Sequence, residues 1–172
     1  MWSLKDEKLG LWFYYDPSGD GNDRIRVGEL IEATLSLDFE RATLVGGSSV
    51  GFRQVSQGRY DVIARINAVH EHEVLADCGF GFHSELSGKN FTSEPVTGRY
   101  FQTYGHFVAR DLSKICPEEL AAGARHRMHV EGIFDYNKPK AVWSKSSVPR
   151  QLDASEKAID NKPCLLHGMF VE

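Results

Sequence analysis

Residues 60–84, YDVIARINAVHEHEVLADCGFGFHS, decide the fold, because apolar side chains occupy most of the even positions. Polar side chains occupy many of the odd positions, and this alternation indicates β-strands with one buried face. A single strand of this length would extend about 80 Å at roughly 3.3 Å per residue, well beyond usual strand lengths. The chain is therefore predicted to reverse at its only polar interruption, His70-Glu71-His72-Glu73.

The register of this hairpin follows from the requirement that both apolar rows meet one core. Cross-strand partners share a sheet face, so even positions must pair with even positions. A three- or five-residue loop centred on His72 satisfies this condition, with Ile66 opposite Cys78 and Val62 opposite Phe82. A two-residue loop would pair even with odd positions and expose one apolar row to water, so we do not expect a two-residue loop here.

Other elements are predicted on both sides of the hairpin. Alternating patterns indicate strands, whereas a capping serine or a leading proline followed by acidic residues indicates a helix start. The third strand, at 99–111, contains Gly105 at an expected bulge. The predicted elements are a short helix at 3–15, strands at 24–39, 99–111, 128–136 and 164–171, and a short helix at 117–123.

This order of elements indicates a mainly β protein with one or two short helices. Three strands, a short helix and two further strands resemble the order of an OB-like barrel, a partly open five-stranded Greek-key form. Related small Greek-key β-barrels fit the same order. We expect one domain over residues 1–172, with an N-terminal extension at 1–58 and the barrel core at 59–172.

Composition and charge restrict the class of protein. The chain is 41% hydrophobic, which indicates a folded core rather than disorder. Its cysteines lie far apart, and no apolar stretch approaches the roughly 18–20 residues that span a bilayer, so we expect a cytoplasmic protein without membrane contact. The net charge of −4 argues against nucleic acid as the first partner, although a local basic patch stays open. The oligomeric state is not indicated.

Catalytic and cofactor motifs are not found in the sequence. It contains no nucleophile elbow, phosphate-binding loop or dinucleotide fingerprint, so no catalytic residue and no cofactor is predicted. His70 and His72 are a candidate metal pair, because residues two apart on a strand share a face. Zinc requires three or four ligands, and a hydrated turn is the alternative interpretation of this pair.

Aromatic and basic residues are the candidates for a binding surface. On the strand at 99–111, Phe101 and Phe107 can fill the core while Tyr100, Tyr104 and His106 face outward. In the alternative interpretation, N-terminal aromatic residues cover this surface. A second group precedes the last strand and consists of Lys138, Lys140, Trp143, Lys145 and Arg150.

Three functions are consistent with these patterns. We expect a non-catalytic binding protein that engages a protein partner, including a neutralising or immunity-type role against a basic partner. The first alternative is single-stranded nucleic-acid binding by an OB-like domain, through the tyrosines, Trp143 and the basic segment. The second alternative is a metal-dependent enzyme that uses the histidine pair.

Overall fold

The computed structural model describes residues 9–15, 26–47, 49–56, 58–86, 91, 94–110, 117–135, 150–151 and 164–171. These residues are mainly β, as predicted, and include one short helix. Within them, no helix is long and apolar enough to cross a membrane. The elements are β1 (Gly10–Tyr15), β2 (Leu30–Val45), β3 (Gly51–Ser56), β4 (Arg59–His70), β5 (Glu73–Asp77), β6 (Gly81–Glu85), β7 (Tyr100–Ala109), α1 (Glu118–Gly123), β8 (Arg125–Asp135), β9 (Arg150–Gln151) and β10 (Cys164–Phe170).

The chain divides into two compact units. One unit consists of residues 33–125 and contains most of β2, the strands β3 to β7, and α1. The other consists of residues 1–32 and 126–172 and contains β1, most of β8, β9 and β10.

In the unit of residues 33–125, five strands form a closed ring in the order β4-β5-β6-β2-β7-β4. Four neighbouring pairs are antiparallel, and the pair of β2 with β6 is parallel. Strand β2 is part of this ring, although it lies within the segment 1–58 that is predicted to be an extension outside the barrel core. Strand β3 pairs with β4.

The apolar rows of these five strands form the core. Their phenylalanine rings pack at angles to one another, with the centroids of Phe82 and Phe107 5.6 Å apart. Complete burial of each large apolar side chain contributes about 1.5–3 kcal/mol. The fully buried members are Leu35, Val62, Ala64, Ile66, Val74, Ala76, Phe82, Phe101 and Phe107.

The chain reverses around His72 as predicted, but the turn is shorter than expected. Only Glu71 and His72 join β4 to β5, with His70 opposite Glu73. Glu71 adopts a left-handed backbone conformation, with a φ of 56°. Such conformations are uncommon outside glycine, asparagine and aspartate, so the sequence carries no signal for this turn.

A β-bulge explains why the exclusion of a two-residue turn is wrong. The register shifts between Ile66 and Ala68, which leaves Asn67 without a cross-strand partner. Ala68 therefore lies opposite Leu75, whereas Ile66 lies opposite Ala76. The inserted residue changes the pairing from even–odd to even–even, and both apolar rows can then face the same core.

The predicted partners beyond this bulge are also wrong, because the chain turns a second time. Residues 78–80 separate β5 from β6, and Gly79 there has a φ of 121°. Phe82 consequently lies opposite Ala76 rather than Val62, and Ile66 does not pair with Cys78. This region therefore contains three strands, β4, β5 and β6, rather than the two predicted.

Gly105 has a different role from the predicted bulge. The register shift of the β2–β7 pair lies in β2, between Phe39 and Ala42, while Gly105 is opposite Phe39. A Cβ atom at Gly105 would overlap the carbonyl oxygen of Asp38. Glycine is therefore required here for the close approach of β2.

The predicted helix after Pro117 is confirmed as α1. Glu118 and Glu119 occupy its first turn, where acidic side chains interact favourably with the helix dipole. Leu75 of β5 packs against Ala121 of the helix and against the adjacent Ala124. A Cβ atom at Gly81 would overlap the carbonyl oxygen of Gly123, so the helix end approaches β6 directly.

The other unit contains the predicted strands at 128–136 and 164–171 as β8 and β10. Antiparallel pairing joins β1 to β10, β10 to β8, and β8 to β9. The helix predicted at 3–15 is wrong for Gly10–Tyr15, which is β1, and residues 3–8 lie outside the described residues. Leu11 and Phe13 are buried two positions apart, as a strand requires, and Trp12 between them packs against His167 with centroids 4.7 Å apart.

Candidate functional site

Strand β7 separates its side chains into a buried row and an outward row, as predicted. Phe101 and Phe107 are fully buried, whereas Tyr104 is 40% exposed. Tyr100 and His106 are half-buried on the same outward row. Two of the predicted binding residues, Tyr104 and His106, thus lie two positions apart on one side of the sheet.

The neighbouring strands add charged side chains to this row. Asp38 of β2 is opposite His106, and Asp61 of β4 is opposite Tyr104. The same register places Arg59 beside His106, and Arg110 follows β7 directly. Because cross-strand partners share a face, these side chains form one surface. We call it the Tyr104 face, and its charged and aromatic members are Asp38, Arg53, Arg59, Asp61, Arg65, Tyr100, Tyr104, His106 and Arg110.

A cation–π contact holds the centre of the Tyr104 face. The guanidinium carbon of Arg59 lies 5.5 Å from the centroid of the Tyr104 ring. At a partly exposed site such a contact contributes about 0.5–1 kcal/mol. The contact restrains both side chains before any ligand arrives.

Two ion pairs engage the carboxylates of this face. Arg110 donates a hydrogen bond to Asp38 at 2.6 Å, and Arg53 donates one to Asp61 at 2.8 Å. The Nε2 atom of His106 lies 3.7 Å from Asp38. Both aspartates are therefore already in contact with an arginine.

The charges around His106 act on its protonation in opposite directions. Burial lowers the pKa of His106, and the positive charges of Arg59 and Arg110 lower it further. The carboxylate of Asp38 raises the pKa and offsets part of this effect. His106 is consequently neutral near pH 7, and a new anion beside it would favour its protonation.

A second polar cluster, which is not predicted from the sequence, lies at the parallel pair of β2 and β6. The Nε2 atom of His83 donates a hydrogen bond to the carboxylate of Glu73. Since the proton is then on Nε2, the Nδ1 atom accepts one from the hydroxyl of Ser36 at 3.0 Å. The three side chains connect the neighbouring strands β5, β6 and β2.

This cluster has the residue types of a serine–histidine–acid triad, but its burial indicates a structural role. Ser36 is 2% exposed and His83 is 4% exposed, so a substrate cannot approach the hydroxyl. Ser36 and His83 form the one register pair of the parallel strands. The hydroxyl of Ser84 also donates a hydrogen bond to the carbonyl oxygen of Leu37 at 3.2 Å. Side-chain hydrogen bonds thus reinforce a short pairing.

No family model matches this sequence, and no curated protein or solved structure is significantly similar to it. The candidate function is therefore argued from the Tyr104 face itself.

The remaining predicted site residues are not brought together. His70 and His72 are exposed at the β4–β5 turn, and the described residues include no group of three metal-ligating side chains around them or elsewhere. Arg150 lies in β9, and its side chain is not among those that the structure describes. The predicted residues outside the described part of the chain are Lys138, Lys140, Trp143 and Lys145.

Buried cysteines do not add a reactive site among the described residues. Cys78 and Cys164 are both buried free thiols. Burial raises the pKa of the Cys78 thiol far above its usual range. A thiol held in its protonated form is a poor nucleophile, so Cys78 acts as a small apolar residue of the core.

Proposed function

We propose that this protein is a non-catalytic binding protein and that a protein partner engages its Tyr104 face. The observation that carries the proposal is the exposed Tyr104 ring held beside Arg59. Tyrosine and arginine are enriched among the residues that dominate binding energy at protein interfaces. Because Arg59 already restrains the ring, its ordering on binding costs little conformational entropy. A neutralising or immunity-type role belongs to this class of function.

We infer that the five-stranded ring is an OB-like barrel with a changed chain order. Support comes from its five strands, its single parallel pair and its neighbour order, β4-β5-β6-β2-β7. In this interpretation β4, β5, β6 and β7 correspond to the first four strands of the barrel, and β2 takes the place of the fifth. The helix α1 packs against Leu75 of β5 and approaches β6 at Gly81, whereas the Tyr104 face lies on β2, β3, β4 and β7.

Single-stranded nucleic acid is the second candidate ligand. The Tyr104 ring could stack on a base, and nearby arginines could contact phosphates. The carboxylates of Asp38 and Asp61 lie on the same face and would repel a phosphate backbone. This mixture of charges favours the protein partner.

Photo-crosslinking from the Tyr104 face tests the proposal. Tyr104 is replaced by p-benzoylphenylalanine in the cells that make the protein, and the matched control carries the same group at the exposed His72. We expect a discrete protein adduct from position 104, none from position 72, and less adduct when Arg59→Gln is added. Equal adducts from both positions, a nucleic-acid adduct, or no adduct from position 104 would contradict the proposal.

A further inference from the structure

We infer that the five-stranded ring opens locally between β2 and β6, and that Ser36, His83 and Glu73 form the latch that keeps it closed. Within these two described strands, Ser36 opposite His83 is the one register position, and beyond β6 an isolated bridge joins Ala42 to Phe91. On its other side, β2 pairs with β7 over most of its length. Proteins open locally where few interactions have to break, so this ring separates first between β2 and β6.

Side-chain hydrogen bonds supply much of the connection between β2 and β6. The Ser36 hydroxyl donates to Nδ1 of His83 at 3.0 Å, and the Ser84 hydroxyl donates to the carbonyl oxygen of Leu37 at 3.2 Å. His83 also donates to the carboxylate of Glu73 on β5, which fixes the imidazole on the β5–β6 side. The Ser36–His83 bond therefore joins the two sides of the ring, and its loss leaves a buried acceptor unsatisfied.

A backbone hydrogen bond crosses the same boundary and reports its opening. The amide of Leu35 in β2 donates to the carbonyl oxygen of Ala124 at 2.9 Å. The helix α1 is fixed on the other side, because Leu75 of β5 packs against it and its end approaches Gly81 of β6. When β2 moves away with β7, α1 stays with β5 and β6, and the Leu35 amide loses its acceptor.

Strand β4 holds the two sides of the ring together when this boundary opens. Its first part pairs with β7 and its last part pairs with β5, so it extends from one side to the other. Opening uncovers the edges of β2 and β6 together with the Ser36 hydroxyl and the His83 imidazole, which are almost fully buried in the closed ring. An uncovered strand edge offers N–H and C=O groups to another strand. The latch thus controls access to a polar cluster and to a pairing edge.

Amide hydrogen exchange of the full chain, followed by NMR, tests the latch. In the wild-type protein, the Leu35 amide should exchange at least about tenfold faster than the slowest amides of β4 and β7. Its rate should depend only weakly on urea, because local opening exposes little surface. Ser36→Ala should accelerate exchange at Leu35 about fivefold to 150-fold, since it leaves the His83 acceptor unsatisfied. The Ala124 amide, which bonds to Ala121 at the helix end, should not respond, and this separates the latch from fraying of α1.

Val62→Ala is the matched control for global unfolding. Val62 is fully buried in β4, and its strand pairs there with β3 and β7, away from the boundary of β2 with β6. The loss of buried methyl groups should accelerate the slowest amides of β4 and β7 at least about tenfold. The rate at Leu35 should stay unchanged, because the packing of Val62 persists when only the latch opens.

Equal exchange rates at Leu35 and at the slowest amides of the wild-type protein would contradict a separate opening, and this comparison needs no variant. A Leu35 rate that Ser36→Ala leaves unchanged, or a response that Ala124 matches, contradicts the latch. Acceleration at Leu35 by Val62→Ala, to the same extent as in β4, shows global unfolding and also contradicts it. None of these results depends on the crosslink at position 104, so the proposed function is tested separately.

Discussion

Replacement of Ser36 by alanine tests whether the buried polar cluster stabilises the closed ring. The substitution removes the hydroxyl that donates a hydrogen bond to Nδ1 of His83. The His83 side chain is only 5% exposed, so water cannot readily replace this donor. A buried acceptor left without its donor costs about 1–3 kcal/mol. We therefore expect Ser36→Ala to lower the free energy of unfolding by about 1–3 kcal/mol.

A double-mutant cycle isolates the hydrogen bond from the effects of side-chain size. His83→Leu alone leaves the Ser36 hydroxyl without its hydrogen-bond acceptor, and we expect a loss of stability of the same order. Glu73 is 19% exposed, so water can still solvate its carboxylate in this variant. The double variant leaves neither buried group unsatisfied. The two single losses should therefore exceed the loss in the double variant by about 1–2 kcal/mol.

Urea unfolding followed by far-UV circular dichroism measures these differences, provided that the slope of each transition is unchanged. Thr43→Ala is the matched control, because Thr43 lies on the same strand but is exposed. The control should change stability by less than about 0.5 kcal/mol. Additive losses in the cycle, to within about 0.3 kcal/mol, would refute the coupling of Ser36 with His83.

Three further predictions concern the helix contact, the charge of the outward row and the core. Gly81→Ala should destabilise the protein by about 1–3 kcal/mol in urea unfolding, because the added Cβ atom would overlap the backbone at the end of α1. The control Gly51→Ala should cost far less, because a Cβ atom there has no other atom within 4 Å. The pKa of His106 is lowered in the folded protein, so the unfolded chain takes up this proton at a higher pH than the folded chain does. Thermal stability should therefore fall as the pH drops below about 6.5. The fall should be less steep in His106→Gln. An unchanged slope would contradict the interpretation of His106. Cys78 should not react with a thiol reagent until the protein is unfolded, and rapid labelling of the native protein would contradict its burial.

The alternation of the sequence predicts which residues are buried better than it predicts their partners. Val62 and Phe82 are both fully buried, as expected, yet they are not opposite each other. Alternation reports the face of each side chain, whereas register depends on single inserted residues such as Asn67. A bulge at a polar exposed residue leaves no trace in the hydrophobic pattern.

The N-terminal prediction failed because short apolar segments are compatible with two periods. Leu11, Trp12 and Tyr15 fit one side of a helix, but the structure buries Leu11 and Phe13 as in a strand. Aromatic residues favour strands once a neighbouring strand is present, and β10 supplies that neighbour. Tertiary pairing thus decided a segment that local pattern left ambiguous.

The candidate site was predicted in part. The positions of Tyr104 and His106 follow from their alternation with Phe101 and Phe107. The contributions of Arg59 and Asp38 do not, because they depend on β4 and β2 pairing with β7 on its two sides. The Ser36–His83 hydrogen bond, across 47 positions of sequence, depends on the same kind of long-range pairing.

Amide chemical shifts during titration with the protein that is crosslinked at position 104 test the central claim most directly, because they report where that partner binds. We expect the largest shifts at Tyr104, His106 and Arg59, and we expect these shifts to diminish in Arg59→Gln. Shifts concentrated at the Glu71–His72 turn or in the unit of β1, β8 and β10, with Tyr104 unaffected, would contradict the assignment of the binding surface.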